Sequence, residues 1–280
     1  MTRLDVELVA RGLARSRGHA RDLVEQGAVV VGGRGSVKAS SQVSAVDDIT
    51  LDVGSASGNR GAVLDATWVS RASAKLLGAL ADLPGGGPRI EGARAADVGA
   101  CTGGFTQVLL RGGAAHVVAI DVGRDQLAAE LRADPRVVDL SGVNARDLTE
   151  EVIGGLVDIL VADLSFISLT VVMPRLAQLV RPGGDLLLLV KPQFEVGRAG
   201  LDGRGVVRPG PWRRQALQRV LQSALDAGLG LRHVVPSRTL GQDGNTEYVA
   251  WLVLPGSPED PAVVTSWEAV SDMIATVCAG

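Results

Sequence analysis

The sequence predicts an α/β protein, and three observations carry that prediction. Seven short apolar runs alternate with helix-forming stretches, a glycine-rich turn directly follows the first run, and a different pattern sets the first 53 residues apart. Short buried strands alternating with helices imply a mostly parallel sheet covered on both faces. At 280 residues the chain can bury a substantial core, and with aromatics at 3% that core must be mostly aliphatic.

Residues 1–53 read as a small α+β unit. Leu4, Leu8, Val9 and Leu13, then Ala20, Leu23 and Val24, fall at helical spacing on either side of the turn ARSRGHA. AVVVGG and DDITLDV read as short strands. The small, polar stretch GSASGNRG marks a linker, taken as 54–64. The main domain, 65–255, opens with a helix in VSRASAKLLGAL. Its strands are RAADV (94–98), HVVAID (116–121), RVVDL (136–140), VDILVAD (157–163), DLLLLV (185–190), LRHVVP (231–236) and EYVAWLVL (247–254). FTQVLLRG, DQLAAELRA, LTVVMPRLAQLV and PWRRQALQRVLQSALDAG supply helices between them. The tail, 256–280, holds a Pro-rich turn and a short helix with Trp267, Val270, Ile274 and Val277 on one face.

Composition excludes several classes. The start MTRLDVELVARG carries Asp5 and Glu7 where a signal peptide needs an apolar run, and no window reaches the roughly 18 uncharged apolar residues of a membrane span, so a cytoplasmic protein is expected. Two cysteines and three scattered histidines form neither a disulfide framework nor a metal pattern. Net charge is −3, yet residues 1–38 carry an excess of three positive charges, which concentrates any basic surface at one end.

The turn ADVGACTGGF, residues 96–105, lies where a parallel sheet binds a nucleotide-like ligand. Its spacing, Asp-x-Gly-x-x-x-Gly-Gly, differs from the Gly-x-Gly-x-x-Gly of dinucleotide enzymes and points to S-adenosylmethionine and a seven-stranded, Rossmann-like methyltransferase sheet. Gly99, Gly103 and Gly104 allow close backbone approach, with Ala100, Cys101 and Thr102 between them, and Asp97 can meet the donor's cationic amino-acid end. Asp121, ending the second strand, suits ribose hydroxyls; Asp147 in NARDL can meet an adenine amine or serve as an ordinary turn residue.

Arginine supplies 25 of the 28 basic residues; the three lysines are Lys38, Lys75 and Lys191. Arginine cannot act as a neutral base, whereas lysine can once a low-dielectric site or a nearby cation disfavours its charge. Lys191 ends the fifth strand of the main sheet, Asp163 ends the fourth, Glu247 begins the last and Lys75 lies in the entering helix. If the four converge, Lys191 can take the proton of a ribose 2′-hydroxyl while Asp163 and Glu247 orient the amines and Lys75 helps place the hydroxyl. The competing reading makes both lysines surface ion-pair residues.

The motifs RLDVELVARGLARSR, VSRASAKL, DVGACTGGFT, AIDVG, VADLSFISL, LVKPQFEVGR, GVVR and GNTEYVAWL together resemble the haemolysin-A-type (TlyA) ribosomal RNA 2′-O-methyltransferases, whose catalytic domain is similar to the FtsJ enzymes. That resemblance implies a catalytic tetrad at Lys75, Asp163, Lys191 and Glu247, S-adenosylmethionine as donor, and cytidine ribose in small- and large-subunit rRNA as substrate. It also implies an N-terminal RNA-binding domain of the type named after ribosomal protein S-four, with Arg3, Arg11, Arg15, Arg17 and Lys38 on phosphates. Two positions depart from the family pattern: Ala72-Ser73 replaces a Gly-Gly or Gly-Ala pair, and Cys101 stands where serine is common. The glycine- and arginine-rich loop after Lys191 is expected to close over RNA. A membrane-active haemolysin and a non-catalytic ribosome-binding factor are the rival readings; no metal is implied, and oligomeric state is left open.

Overall fold

The computed structural model describes residues 1–11, 13–14, 17–25, 29–32, 38–44, 46–51, 67–241, 244–256 and 263–279. Arg15, the linker 54–64 and the end of DDITLDV lie outside them. The chain divides into two compact units, Met1–Arg71 and Ala72–Gly280.

In the first unit, β1 (Thr2–Arg3) leads into helix α1 (Leu4–Ala10), followed by α2 (Arg17–Glu25), β2 (Val29–Val31), β3 (Gln42–Val43) and β4 (Ile49–Leu51). β1 pairs antiparallel with β3, and β2 with β4. The apolar positions that predicted the helices meet here: Leu4 and Leu8 of α1 pack with Ala20 and Val24 of α2 and with Val29, Val43 and Ile49 of the strands. The first backbone donors of α1 are taken from outside the helix, Leu4 N–H by the Ser41 carbonyl and Asp5 N–H by that of Ala39, which fixes the Lys38 segment beside the helix start.

The second unit is a seven-stranded mixed sheet with helices, as the apolar runs predict. After α3 (Ala72–Asp82) come β5 (Arg94–Val98), α4 (Gly104–Arg111), β6 (His116–Asp121), α5 (Ala129–Arg132), β7 (Val137–Ser141), α6 (Glu150–Ile153), β8 (Val157–Ala162), α7 (Leu169–Gln178), β9 (Val180–Val190), α8 (Trp212–Asp226), β10 (Gly230–Pro236), β11 (Tyr248–Val253) and α9 (Trp267–Ala279). Strand order is β10-β11-β9-β8-β5-β6-β7, parallel throughout except that β11 runs against both its neighbours. β8 and β9 are the most apolar runs and lie in the middle of the sheet, where Leu186, Leu188 and Val190 are fully buried against α7 and α8 residues. α9 adds Val270 and Ile274 to the same core.

The chain leaves β5 toward β6 on one side and returns as β8 on the other. The crevice between the carboxyl ends of β5 and β8 is therefore the reversal point at which such sheets bind ligands. Because β11 is antiparallel, its beginning lies at the same rim as the end of β9: Tyr248 pairs with Val190, and Glu247 and Lys191 are the residues immediately outside that pair.

Candidate active site

The loop after β5 is shaped by what it must avoid. Gly99 has φ +88°, and a Cβ there would lie 2.6 Å from the Asp163 carbonyl oxygen, so only glycine lets this loop touch the one after β8. At Gly103, φ +94°, a Cβ would fall 2.7 Å or less from Leu127 and Leu131. Gly99 and Ala100 N–H both donate to the Ile120 carbonyl, and α4 begins at Gly104. Thr102 is half-buried and Cys101 exposed. Cys101 N–H donates to Asp121 Oδ2 at 2.9 Å, and Gly123 N–H donates to Oδ1 at 2.7 Å, which holds the Asp121 carboxylate at the rim with lone pairs to spare. Asp147 is exposed at the end of a short turn beyond β7.

Asp97 sits deeper. Its Oδ2 accepts from both N–H and hydroxyl of Thr106 at 2.7 Å, anchoring the first turn of α4, while Oδ1 is buried without a hydrogen-bond partner. Burial with no cation beside it raises this carboxyl to a pKa of about 7. An unsatisfied carboxylate oxygen behind a glycine cradle, with a second carboxylate at the rim, fits a ligand that carries both an ammonium and a ribose.

The four predicted side chains form two ion pairs. Lys191 Nζ lies 2.6 Å from Asp163 Oδ1 and donates to Ser165 Oγ at 2.8 Å. Lys75 Nζ donates to Glu247 Oε2 at 2.7 Å, and Glu247 Oε1 accepts from Gln193 Nε2 at 3.0 Å. Side-chain exposure is 9% for Lys191 and 7% for Lys75, so the amines do not dangle in water. Each lysine faces a carboxylate, and Gln193, two residues after Lys191, ties the second pair to the first. Ser73 on α3 donates to the Gly104 carbonyl at 3.0 Å, so the serine of the Ala72-Ser73 departure joins the Lys75 helix to the glycine loop.

Ser165, Gln193, Glu195 and Phe166 were not singled out by sequence reasoning, although the first and last lie in VADLSFISL and the other two in KPQFEVGR. Glu195 is buried; its Oε1 accepts from Leu169 N–H at 2.8 Å and its Oε2 from the Ser168 hydroxyl at 2.5 Å. One carboxylate thus clamps the loop carrying Lys191 to the start of α7, directly after the loop carrying Asp163. Burial pushes its pKa up against these two donors. Phe166 is 92% exposed with φ +63°, a backbone region costly for a bulky residue, and its ring leans on Phe194 at 5.2 Å. The Phe194 ring in turn lies 6.0 Å from Lys191 Nζ. The loop beyond is pinned by buried Asn245, whose Oδ1 accepts from Val207 N–H at 2.8 Å and whose Nδ2 donates to the Gly205 carbonyl at 3.1 Å. That holds exposed Arg204 and Arg208 on a small hairpin.

A family profile described as FtsJ-like methyltransferase matches residues 68–254, two thirds of the chain. A 46% identical relative from Mycobacterium tuberculosis, covering 89% of both chains, is the 16S/23S rRNA (cytidine-2′-O)-methyltransferase TlyA. The chain belongs to the TlyA family of FtsJ-like methyltransferases. Residues 2–49 match the S4 domain. Hemolysin A of Brachyspira hyodysenteriae is 33% identical over 90% of this chain and all of its own. A solved putative hemolysin from Streptococcus thermophilus shares 32% identity and a TM-score of 0.72, covering 99% of this chain and 96% of its own.

In the S4-like unit of this TlyA-family chain the predicted arginines divide. Arg11 is a brace: it donates to Glu7 at 2.9 Å and to the Asp47 and Ser44 carbonyls at 2.7 and 3.1 Å. Arg3 and Arg17 instead converge on Asp5, and Lys38 is exposed. Among the described residues no helix is long and apolar enough to cross a membrane, and no cluster of His, Cys, Asp or Glu is arranged to hold a metal.

Proposed function

We propose that the protein transfers a methyl group from S-adenosylmethionine to the 2′-hydroxyl of a cytidine in small- or large-subunit rRNA, in the cytoplasm, with residues 1–53 gathering RNA and residues 65–255 carrying out the chemistry. The observation that carries this is the convergence of Lys191, Asp163, Lys75 and Glu247 beside the Gly99 loop in a chain of this family.

S-adenosylmethionine supplies an electrophilic methyl on a sulfonium, and the residues fitted to hold it are Gly99, Ala100, Cys101, Thr102, Gly103 and Gly104 as cradle, Asp121 for the ribose, Asp147 for the adenine and the Asp97 Oδ1 for the ammonium. The chain's own work is alignment and proton handling. A ribose hydroxyl is a poor nucleophile until its proton is drawn off, and Lys191 Nζ, acting as the neutral amine after giving up its own proton, is the atom that receives it. Asp163 and Ser165 fix where Nζ points. Lys75 and Glu247, bonded to each other and tied to the Lys191 loop by Gln193, place the second amine so that the hydroxyl is gripped from two sides. Phe166 offers an exposed aromatic face on which the target base can stack once it leaves its helix. Most of the rate gain then comes from orientation, which is worth orders of magnitude when reacting atoms are held near contact.

The test is direct. Purified protein is incubated with methyl-labelled S-adenosylmethionine and unmethylated ribosomal subunits, and the labelled nucleotide is mapped. Label on a cytidine ribose is the expected result. Subunit binding without label would favour an assembly factor, and lysis of red cells by the pure protein without label would favour the haemolysin reading.

A further inference from the structure

Asp5 lies in the first turn of α1, and its carboxylate is the meeting point of three guanidinium groups. Arg3 donates to both oxygens, at 3.0 and 3.2 Å; Arg17 Nη2 and Arg21 Nε reach Oδ2 at 3.1 and 3.4 Å. Arg17 and Arg21 stand one turn apart on α2, so they present to the same side. Asp5 has 0% exposure, yet it lies near the surface, because the arginines themselves cover it. The arginines remain open, with 42%, 54% and 53% of their side-chain surface exposed.

Three positive charges cannot be held this close without a counter-charge, and one carboxylate leaves a local excess of two. Each guanidinium has five N–H donors in a rigid fork and gives only one or two of them to Asp5. We propose that Asp5 is the positioning residue of a phosphodiester site on the RNA-binding face: it assembles Arg3, Arg17 and Arg21 into a preset comb whose remaining donors grip the backbone of rRNA. Arg21 thereby joins the RNA-contacting residues, while Arg11, committed to Glu7, Ser44 and Asp47, braces the unit from within.

The inference rests on the RNA-binding reading of this unit, and it makes a prediction of unusual sign. Asp5→Asn makes the protein one unit more positive, so if charge alone governed binding, RNA affinity would rise. A preset comb predicts the reverse: the amide N–H₂ repels the guanidiniums, the comb spreads, and each arginine must be ordered anew when RNA arrives.

The experiment measures binding of the full-length protein to unmethylated small ribosomal subunits at a series of salt concentrations, with circular dichroism to confirm folding. For Asp5→Asn the expected result is a loss of about tenfold in affinity, the size of one charge-assisted hydrogen bond. Its slope of log affinity against log salt should also become shallower despite the added charge. Arg21→Gln, at a half-exposed position that leaves the fold intact, should weaken binding and reduce the slope by about one. Equal or tighter binding by folded Asp5→Asn overturns the inference. If Asp5→Asn does not fold, an unchanged affinity and slope for Arg21→Gln overturns it alone. If the unsubstituted protein does not bind subunits at all, the RNA-binding reading fails instead.

Discussion

The two units treat charge in opposite ways. In the larger unit every lysine of the crevice has its own carboxylate, and both amines are buried. In the smaller one, three half-exposed arginines share the single carboxylate of Asp5. One-to-one pairing under cover holds an amine in place for proton transfer and projects little field; a shared counter-ion at the surface leaves positive charge facing outward, which suits a polyanion. The contrast extends to the aspartates. Asp5, hydrogen-bonded first to Arg3, is held well below the usual carboxylate range, whereas burial, with no cation beside it, lifts Asp97 to about 7.

The largest break in this comparison should come from Lys191→Arg, which keeps a cation and removes the proposed base. We expect kcat to fall by about a hundredfold to ten-thousandfold, as loss of a general base does, while subunit affinity stays within about twofold; near-normal methylation would refute the assignment. Next is Glu247→Ala, which strands Lys75 as a buried unpaired ammonium. Urea denaturation should show a loss of about 3–5 kcal/mol, whereas an unchanged midpoint would mean that Lys75 escapes to solvent.

A smaller effect is expected at Glu195, where the clamp between the Lys191 loop and the segment following Asp163 is removed without touching any group proposed to react. Glu195→Ala should lower kcat by roughly tenfold with donor KM unchanged, through misplaced loops. Glu195→Gln, which can still bridge Leu169 and Ser168, should recover most of it. Loss of thermal stability alone, with kcat intact, would make Glu195 a purely structural residue. The mildest effect is the pH profile of Asp97. Its folded pKa of about 7 lies above the ordinary 3.8, so its contribution is stability present below 3.8 and lost as pH rises through 7. Asp97→Asn should therefore gain on the unsubstituted protein in melting temperature between acid and pH 8; parallel melting curves would show that the carboxyl titrates normally. Asp5 has the opposite sign, its contribution being present at neutral pH and lost on acidification.

Much of this was readable from the chain because buried parallel strands have to be apolar. RAADV and HVVAID matched β5 and β6 to the residue, and the rim positions after each run gave Asp163 and Lys191. β9, in contrast, starts five residues before DLLLLV: Val180 pairs with Val157 of β8 and Asp185 with Ile159, and Arg181 and the usual breakers Pro182, Gly183 and Gly184 form the irregularity between those two rungs. DQLAAELRA yields only four helical residues at Ala129–Arg132. Ser165, Gln193 and Glu195 sit in loops, which carry no period, so their partners emerge only when two strands are laid side by side. The grouping of Arg3, Arg17 and Arg21 needs two helices to pack before residues up to 18 apart meet on one carboxylate, and no spacing rule encodes that.

The reversed direction of β11 has a consequence for when the enzyme comes alive. Lys75 and its carboxylate partner are 172 positions apart in the chain. Were β11 parallel, Glu247 would emerge at the opposite rim, roughly 20 Å away for a six-residue strand. During synthesis, then, the first helix of the unit and the donor loop leave the ribosomal tunnel long before the residue that completes the amine grip. Until that last strand of the sheet is in place, the half-made polypeptide leaves the Lys75 amine without its carboxylate partner.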